Sequence, residues 1–92
     1  MNRGPNLECW VYRSARKSEM YLYLRQEDDF SCLPEELLAR FGKPTKVMPL
    51  SLNPQRKLAR EDVNNVMENL RNKGFHLQMP PKMQADLYYY GD

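Results

Sequence analysis

The sequence is poor in the residues from which metal, phosphate and disulfide sites are built. Its 92 residues include one histidine and two cysteines, too few ligands for a zinc site at workable spacing. Cys9 and Cys32 are too distant for a CxxC motif and too few for a disulfide framework, so reduced thiols are favoured over a single disulfide. The four glycines are scattered and form no phosphate-binding loop. We therefore expect no metal and no other cofactor.

The chain also lacks a strong charge imbalance and a long apolar run. Its 14 Lys and Arg against 12 Asp and Glu give a net charge of +2, far from the balance of a dedicated nucleic-acid binder. No stretch reaches the roughly 18–20 apolar residues of a membrane span, and the first residues, MNRGPN, do not resemble a signal peptide. The expectation is a cytoplasmic protein with no membrane partner.

Four segments have the composition of β-strands. Residues 8–14 (ECWVYRS) and 20–26 (MYLYLRQ) are rich in β-formers and predict a hairpin. Residues 46–52 (KVMPLSL) predict a third strand, where Pro49 favours an edge position or a bulge because it cannot donate a ladder hydrogen bond. Residues 75–79 (FHLQM) alternate apolar and polar side chains, as a half-buried strand does.

Two helices are predicted between these strands. The first begins near Pro34, which suits a first helical turn, and ends at Gly42. The second covers residues 61–73 and stops at Gly74. Its apolar side chains recur at i, i+3, i+4 and i+7: Val63, Val66, Met67 and Leu70.

The order β-β-α-β-α-β predicts a single α+β domain, with a sheet of about four strands and the main helices packed on one face. Residues 8–81 form this domain. Residues 1–7 are expected to be a flexible N-terminal arm, and residues 82–92 a tail or a short C-terminal helix.

The ordered set of segments resembles the YcgL-domain family of small bacterial proteins. The resemblance covers most of residues 9–81 and rests on these pieces: CWVYRS (9–14), MYLYL (20–24), DF (29–30), LPEELL (33–38), FGKP (41–44), KL (57–58), DV (62–63) and GFHLQMPP (74–81). Cys32, between Ser31 and Leu33, departs from the family's pattern. The resemblance implies a compact α/β domain, and it carries over no activity, substrate or catalytic residue.

The two-residue period of a strand divides the predicted sheet into two faces. We expect the core face to collect the apolar side chains Met20, Leu22, Leu24, Phe75, Leu77 and Met79, with Cys9 and Val11 as candidates from the first strand. The opposite face is the candidate binding face, which is aromatic but carries a polar group at nearly every position: Trp10, Tyr12, Tyr21, Tyr23, Arg25, His76 and Gln78. The loop before the second helix contributes a candidate basic rim, Arg56, Lys57 and Arg60.

Several functions are compatible with this face. Trp, Tyr and Arg are favoured anchors at protein interfaces, and exposed rings with nearby cations also stack single-stranded bases. The simplest account is structural, with cross-strand aromatic packing or cover by the C-terminal segment that contains Tyr88, Tyr89 and Tyr90. The basic rim has its own simple account as a solvated loop balanced by Glu61 and Asp62.

An enzyme is the least favoured class. Cys32 lies near a predicted helix N-terminus and His76 would be its base, but no third orienting group is identifiable. The functional hypothesis is therefore a non-catalytic interaction module with another protein as its partner, and RNA or single-stranded DNA as the alternative partner.

Overall fold

The computed structural model describes residues 6–80. Strands β1 (Leu7–Arg13), β2 (Tyr21–Leu24), β3 (Thr45–Leu52) and β4 (Phe75–Gln78) form one sheet, with helix α1 (Glu35–Phe41) before β3 and helix α2 (Val63–Lys73) before β4. The predicted α+β class and element order are confirmed. Leu7, which was assigned to the arm, already belongs to β1. The predicted tail or helix over 82–92 lies outside the described residues.

The sheet is antiparallel throughout, in the order β3-β1-β2-β4. β1 and β2 form the predicted hairpin, in which Val11 is opposite Tyr23. β3 is at one edge, and its register with β1 shifts where Met48 and Lys46 oppose consecutive β1 residues, so that Val47 is left over. β3 is thus an edge strand with a bulge close to Pro49, which confirms the prediction made from this proline.

Both ends of α2 have residues that are favoured at helix ends. The Asp62 side chain accepts a hydrogen bond from the Asn64 N–H at 3.0 Å, which satisfies one otherwise unpaired donor of the first turn. At the other end Gly74 takes a left-handed conformation with φ of 88° and donates its N–H to the Leu70 carbonyl. A side chain is strained at that φ, so the glycine is the favoured residue for this stop.

The two helices lie on opposite faces of the sheet, so the expectation that both pack on one face is wrong. We call the two sides the α2 face and the α1 face. The α2 face is a buried cluster of Cys9, Val11, Tyr23, Leu50, Leu52, Val63, Val66, Met67 and Leu70. The α1 face is a buried cluster of Tyr12, Met20, Leu22, Leu24, Leu33 and Phe41. Both faces of the sheet carry apolar side chains, and each must be removed from water by its own helix.

The register of the β1–β2 hairpin explains why the expected division of side chains between the two faces is wrong. Trp10 is opposite Leu24 and Tyr12 is opposite Leu22, so the β1 aromatics share a face with the β2 leucines. Cys9 and Val11 point to the other face, where Tyr23 lies. A shift of one residue in the assumed pairing moves every side chain of a strand to the other face.

Candidate functional site

The candidate binding face does not exist as one surface. Its members divide between the two faces, with Tyr21, Tyr23, His76 and Gln78 on the α2 face and Trp10 and Tyr12 on the α1 face. Arg25 follows the last residue of β2, is exposed, and donates its backbone N–H to the Gly74 carbonyl at 3.0 Å. Any binding role of these residues must therefore be considered one face at a time.

On the α1 face, Tyr12 is a packed residue with a satisfied hydroxyl. It is 2% exposed, and its ring meets that of Phe30 edge to face at 5.0 Å. The hydroxyl donates to Asp28 Oδ1 at 2.9 Å and accepts from the Asp28 N–H at 2.7 Å. Burial raises the pKa of Tyr12, while the hydrogen bonds from Tyr12 and then Lys46 lower the pKa of Asp28. Trp10 packs half-buried against the same cluster.

On the α2 face, the polar residues of β4 are buried rather than solvated. His76 is 7% exposed and Gln78 is 8% exposed. Gln78 Oε1 accepts a hydrogen bond from the Tyr23 hydroxyl at 2.9 Å, and the Tyr23 ring meets the imidazole edge to face at 5.6 Å. Burial, followed by the negative charge of Glu61, raises the pKa of Tyr23 to about 12. The phenol is therefore held neutral and bound at ordinary pH.

His76 forms a second set of buried hydrogen bonds, with two residues that the sequence did not indicate as partners. The Asn69 side-chain nitrogen is 2.9 Å from Nδ1, and Glu61 Oε1 is 2.6 Å from Nε2. Because the amide nitrogen donates, Nδ1 accepts, and Nε2–H donates to the carboxylate. The available signal was spacing: Asn69 follows Val66 by three residues and so lies at the margin of the buried stripe of α2.

The alternative of a Cys32 nucleophile with His76 as its base has no geometric support. Both imidazole nitrogens are already paired with Asn69 and Glu61. Cys32 is exposed in the loop before α1, and its pKa is raised by desolvation, the reverse of an activated thiolate. Cys9 is buried, and burial raises its pKa to about 12. Both thiols are free.

A groove beside β3 is a largely apolar opening among the described residues. It has a volume of about 230 Å³ and its lining is mostly apolar or aromatic, with two arginines and one glutamine. The lining consists of Val11, Tyr21, Tyr23, Val47, Met48, Leu50, Arg56, Leu58, Ala59, Arg60 and Gln78. We refer to this as the β3 groove.

Two apolar side chains that line the β3 groove are unusually exposed. Val47 is 48% exposed and Met48 is 43% exposed, and they are the exposed large hydrophobic residues in the part of the chain that the structure describes. Val47 is the unpaired residue of the β3 bulge. The sequence predicts a strand over residues 46–52 but gives no sign that these two side chains are exposed, because only the bulge and the edge position leave them uncovered.

The predicted basic rim lines the groove in part. Arg56 and Arg60 line it, whereas Lys57 is exposed on the same loop outside the lining. Arg60 Nη1 pairs with Glu19 Oε1 at 3.0 Å. Within residues 6–80, neither Arg56 nor Lys57 has a carboxylate at ion-pair distance. The groove therefore presents positive charge beside an apolar floor.

Within residues 6–80, no group of three His, Cys, Asp or Glu side chains is arranged to hold a metal ion. Neither α1 nor α2 has the length and apolar character of a membrane-spanning helix.

Comparison with known proteins identifies the family. The sequence model of the YcgL domain matches residues 9–81, a range that includes every strand and helix described above apart from the first two residues of β1. The chain belongs to the YcgL domain family. A YcgL domain-containing protein of Pseudomonas aeruginosa is 58% identical over 73 residues, which are 79% of this chain and 75% of the relative.

Other members of the YcgL domain family show the same extent of similarity. A relative from Pseudomonas putida is 55% identical and one from Azotobacter vinelandii is 53% identical, each over 73 residues that make up 79% of this chain and 75% of the relative. The predicted resemblance is thus confirmed.

Proposed function

We propose that this YcgL domain is a protein-binding module and that its partner docks in the β3 groove. The proposal rests on one observation. The exposed side chains of Val47 and Met48 line the same largely apolar groove as Arg56 and Arg60. Apolar side chains left uncovered on a small domain mark interaction surfaces, and Met and Arg are enriched where proteins meet.

The placement of the aromatic rings favours a protein over a nucleic acid. Stacking on single-stranded bases needs rings with an accessible flat face. Tyr12 and Tyr23 are buried and their hydroxyls are bound within the domain. Trp10 and Tyr21 are half-buried and lie on opposite faces of the sheet, so they do not make a common stacking platform.

The docking is expected to use side chains rather than strand addition. An added strand needs a regular edge with successive N–H and C=O groups. On β3, Pro49 lacks an N–H and Val47 interrupts the register. The edge is therefore a poor template for another strand, whereas the groove beside it accepts side chains from a partner.

Site-specific photo-crosslinking tests this function. The full chain would carry a benzophenone amino acid at Met48, or at exposed Glu35 on α1 as the control, and would be irradiated in bacterial cells. We expect a discrete protein adduct from position 48 that is absent from position 35 and is lost when Arg56→Glu is added.

Two results would contradict the proposal. One is the same pattern of adducts from positions 48 and 35, or no adduct from position 48. The other is an adduct that nuclease removes and protease leaves intact, which would favour the RNA or single-stranded DNA alternative.

A further inference from the structure

The charges around the β3 groove specify the chemistry of its occupant. Its described lining residues include Arg56 and Arg60 and no carboxylate. An occupant that fills the apolar floor lies beside these guanidinium groups, so negative groups on it are favoured over positive ones. Arginine binds carboxylates with a planar fork of donors, often through two parallel hydrogen bonds. A peptide segment that alternates apolar and acidic side chains meets both demands.

One of the two arginines already has a carboxylate partner from within the chain. Glu19 reaches Arg60 from the connection between β1 and β2, at 3.0 Å, although it is not part of the groove lining. The two side chains remain 61% and 37% exposed, respectively. Exposed ion pairs of this kind contribute little net free energy because both groups are well solvated when apart. A carboxylate from a partner can therefore replace Glu19 at small cost.

Arg56 is available without such an exchange. Among residues 6–80 no carboxylate lies within ion-pair distance of it, and its backbone is anchored by an N–H donated to the Asn53 carbonyl at 3.0 Å. Within residues 6–80, the groove therefore has one arginine without a carboxylate partner and one paired with Glu19.

We propose that the β3 groove binds an acidic, apolar segment of another protein, and that Glu19 is an internal stand-in for one of that segment's carboxylates. This inference rests on the protein-binding function proposed above and names its partner by chemistry. It implies that removing the Glu19 charge strengthens binding, whereas removing the Arg56 charge weakens it.

The experiment uses four fluorescein-labelled octapeptides and the full chain. The peptides are acidic and apolar (LDLELDLE), neutral and apolar (LSLQLSLQ), basic and apolar (LKLKLKLK), and acidic and polar (SDSESDSE). Fluorescence polarisation gives the affinity, and amide shifts of Val47 and Met48 in the NMR spectrum of the labelled protein give the location. We expect only the acidic and apolar peptide to bind appreciably, with shifts at both residues.

Glu19→Gln and Glu27→Gln each remove one negative charge. Comparing them separates an effect specific to the groove from an effect of net charge on peptide binding. Glu19→Gln should tighten binding of the acidic and apolar peptide by up to about fivefold, the range of one exposed ion pair. Glu27→Gln is the matched control, because Glu27 pairs with Lys46 and neither residue lines the groove. It should change the affinity much less. Arg56→Gln should weaken binding by about fivefold or more.

The outcomes distinguish this inference from the function on which it rests. Equal tightening by Glu19→Gln and Glu27→Gln would overturn the role of Glu19 as a stand-in. Binding of the neutral or basic apolar peptide at Val47 and Met48, as tight as that of the acidic one and insensitive to Arg56→Gln, would overturn the acidic partner and leave groove docking in place. Tight binding of the acidic and polar peptide would overturn the need for apolar side chains. Failure of all four peptides to shift Val47 and Met48 would overturn the docking function and this inference together.

Discussion

The two faces of the sheet differ in how completely they are covered. The α2 face has an eleven-residue helix over it, and even its polar residues His76 and Gln78 are buried. The α1 face has a seven-residue helix, and more of its apolar side chains remain half-buried, namely Trp10, Phe30, Leu37, Leu38, Phe75, Leu77 and Met79. The polar residues of β4, His76 and Gln78, thus lie on the more completely buried face of the sheet. The apolar residues of β4, Phe75 and Leu77, lie on the less completely buried face.

The reason is that burial of a polar group depends on its partners. Hydrogen bonds of 2.6 to 2.9 Å join Tyr23 to Gln78, and join His76 to both Asn69 and Glu61. A buried polar group without such a partner is costly, whereas one with a partner is nearly neutral to stability. Polar alternation in a strand therefore marks a solvent face only when the helix above supplies no complementary groups.

The largest effect is expected from matched leucine truncations in the two helices. Leu70→Ala removes a fully buried side chain from α2 and should lower the free energy of unfolding by about 2–5 kcal/mol. Leu37→Ala removes a half-buried side chain from α1 and should cost about 1 kcal/mol. Urea unfolding followed by circular dichroism measures both. Equal losses would mean that the two faces contribute equally and that the difference in cover has no energetic weight.

A smaller effect is expected from the polar network of the α2 face. Glu61→Ala leaves the His76 Nε2–H without its acceptor and should cost about 1–3 kcal/mol. Glu61→Gln keeps an oxygen acceptor and should cost less. Glu68→Ala, at an exposed position of α2, is the control and should stay within about 0.5 kcal/mol of the wild type. If Glu61→Ala were no worse than this control, the network would be an incidental contact.

The smallest effect of a substitution is expected from Tyr23→Phe at alkaline pH, again with the α2 face dominant. Tyr23 and Cys9 have pKa values of about 12, raised from 10.0 and 9.0 mainly by burial. Because the folded protein keeps these protons to higher pH than the unfolded chain, their contribution is complete below about pH 9 and is lost as the pH rises towards 12.

Unfolding in urea at about pH 8, 10 and 11 would measure this loss. Each group contributes at most about 1.4 kcal/mol per pH unit above its unfolded pKa. Tyr23→Phe should reduce the loss of unfolding free energy above about pH 10. Tyr12→Phe, the matching substitution on the α1 face, should reduce this loss less, because the Tyr12 hydroxyl has a raised pKa but is hydrogen-bonded to Asp28. A larger reduction from Tyr12→Phe than from Tyr23→Phe would contradict this prediction.

Local signals predicted the elements well because each depends on near neighbours in the chain. Gly74 stops α2, the stripe ending at Leu70 is buried, and Pro49 lies on a bulged edge strand. The candidate site was predicted less well. Arg56 and Arg60 do line a groove, but its apolar wall, Val47 and Met48, was passed over, and the proposed aromatic face was divided by the register.

The sequence by itself determined the family, the α+β class and the order of strands and helices, since turn residues, helix ends and apolar periods act over a few residues. Only the tertiary structure decided which face each strand residue occupies, because pairing registers between distant segments differ by a single residue in the alternatives. It also decided that His76 and Gln78 are buried and that Val47 and Met48 are exposed. These outcomes depend on which groups α2 and the β3 edge bring together across the sheet, and the free energy of a side chain depends on those partners rather than on its own polarity.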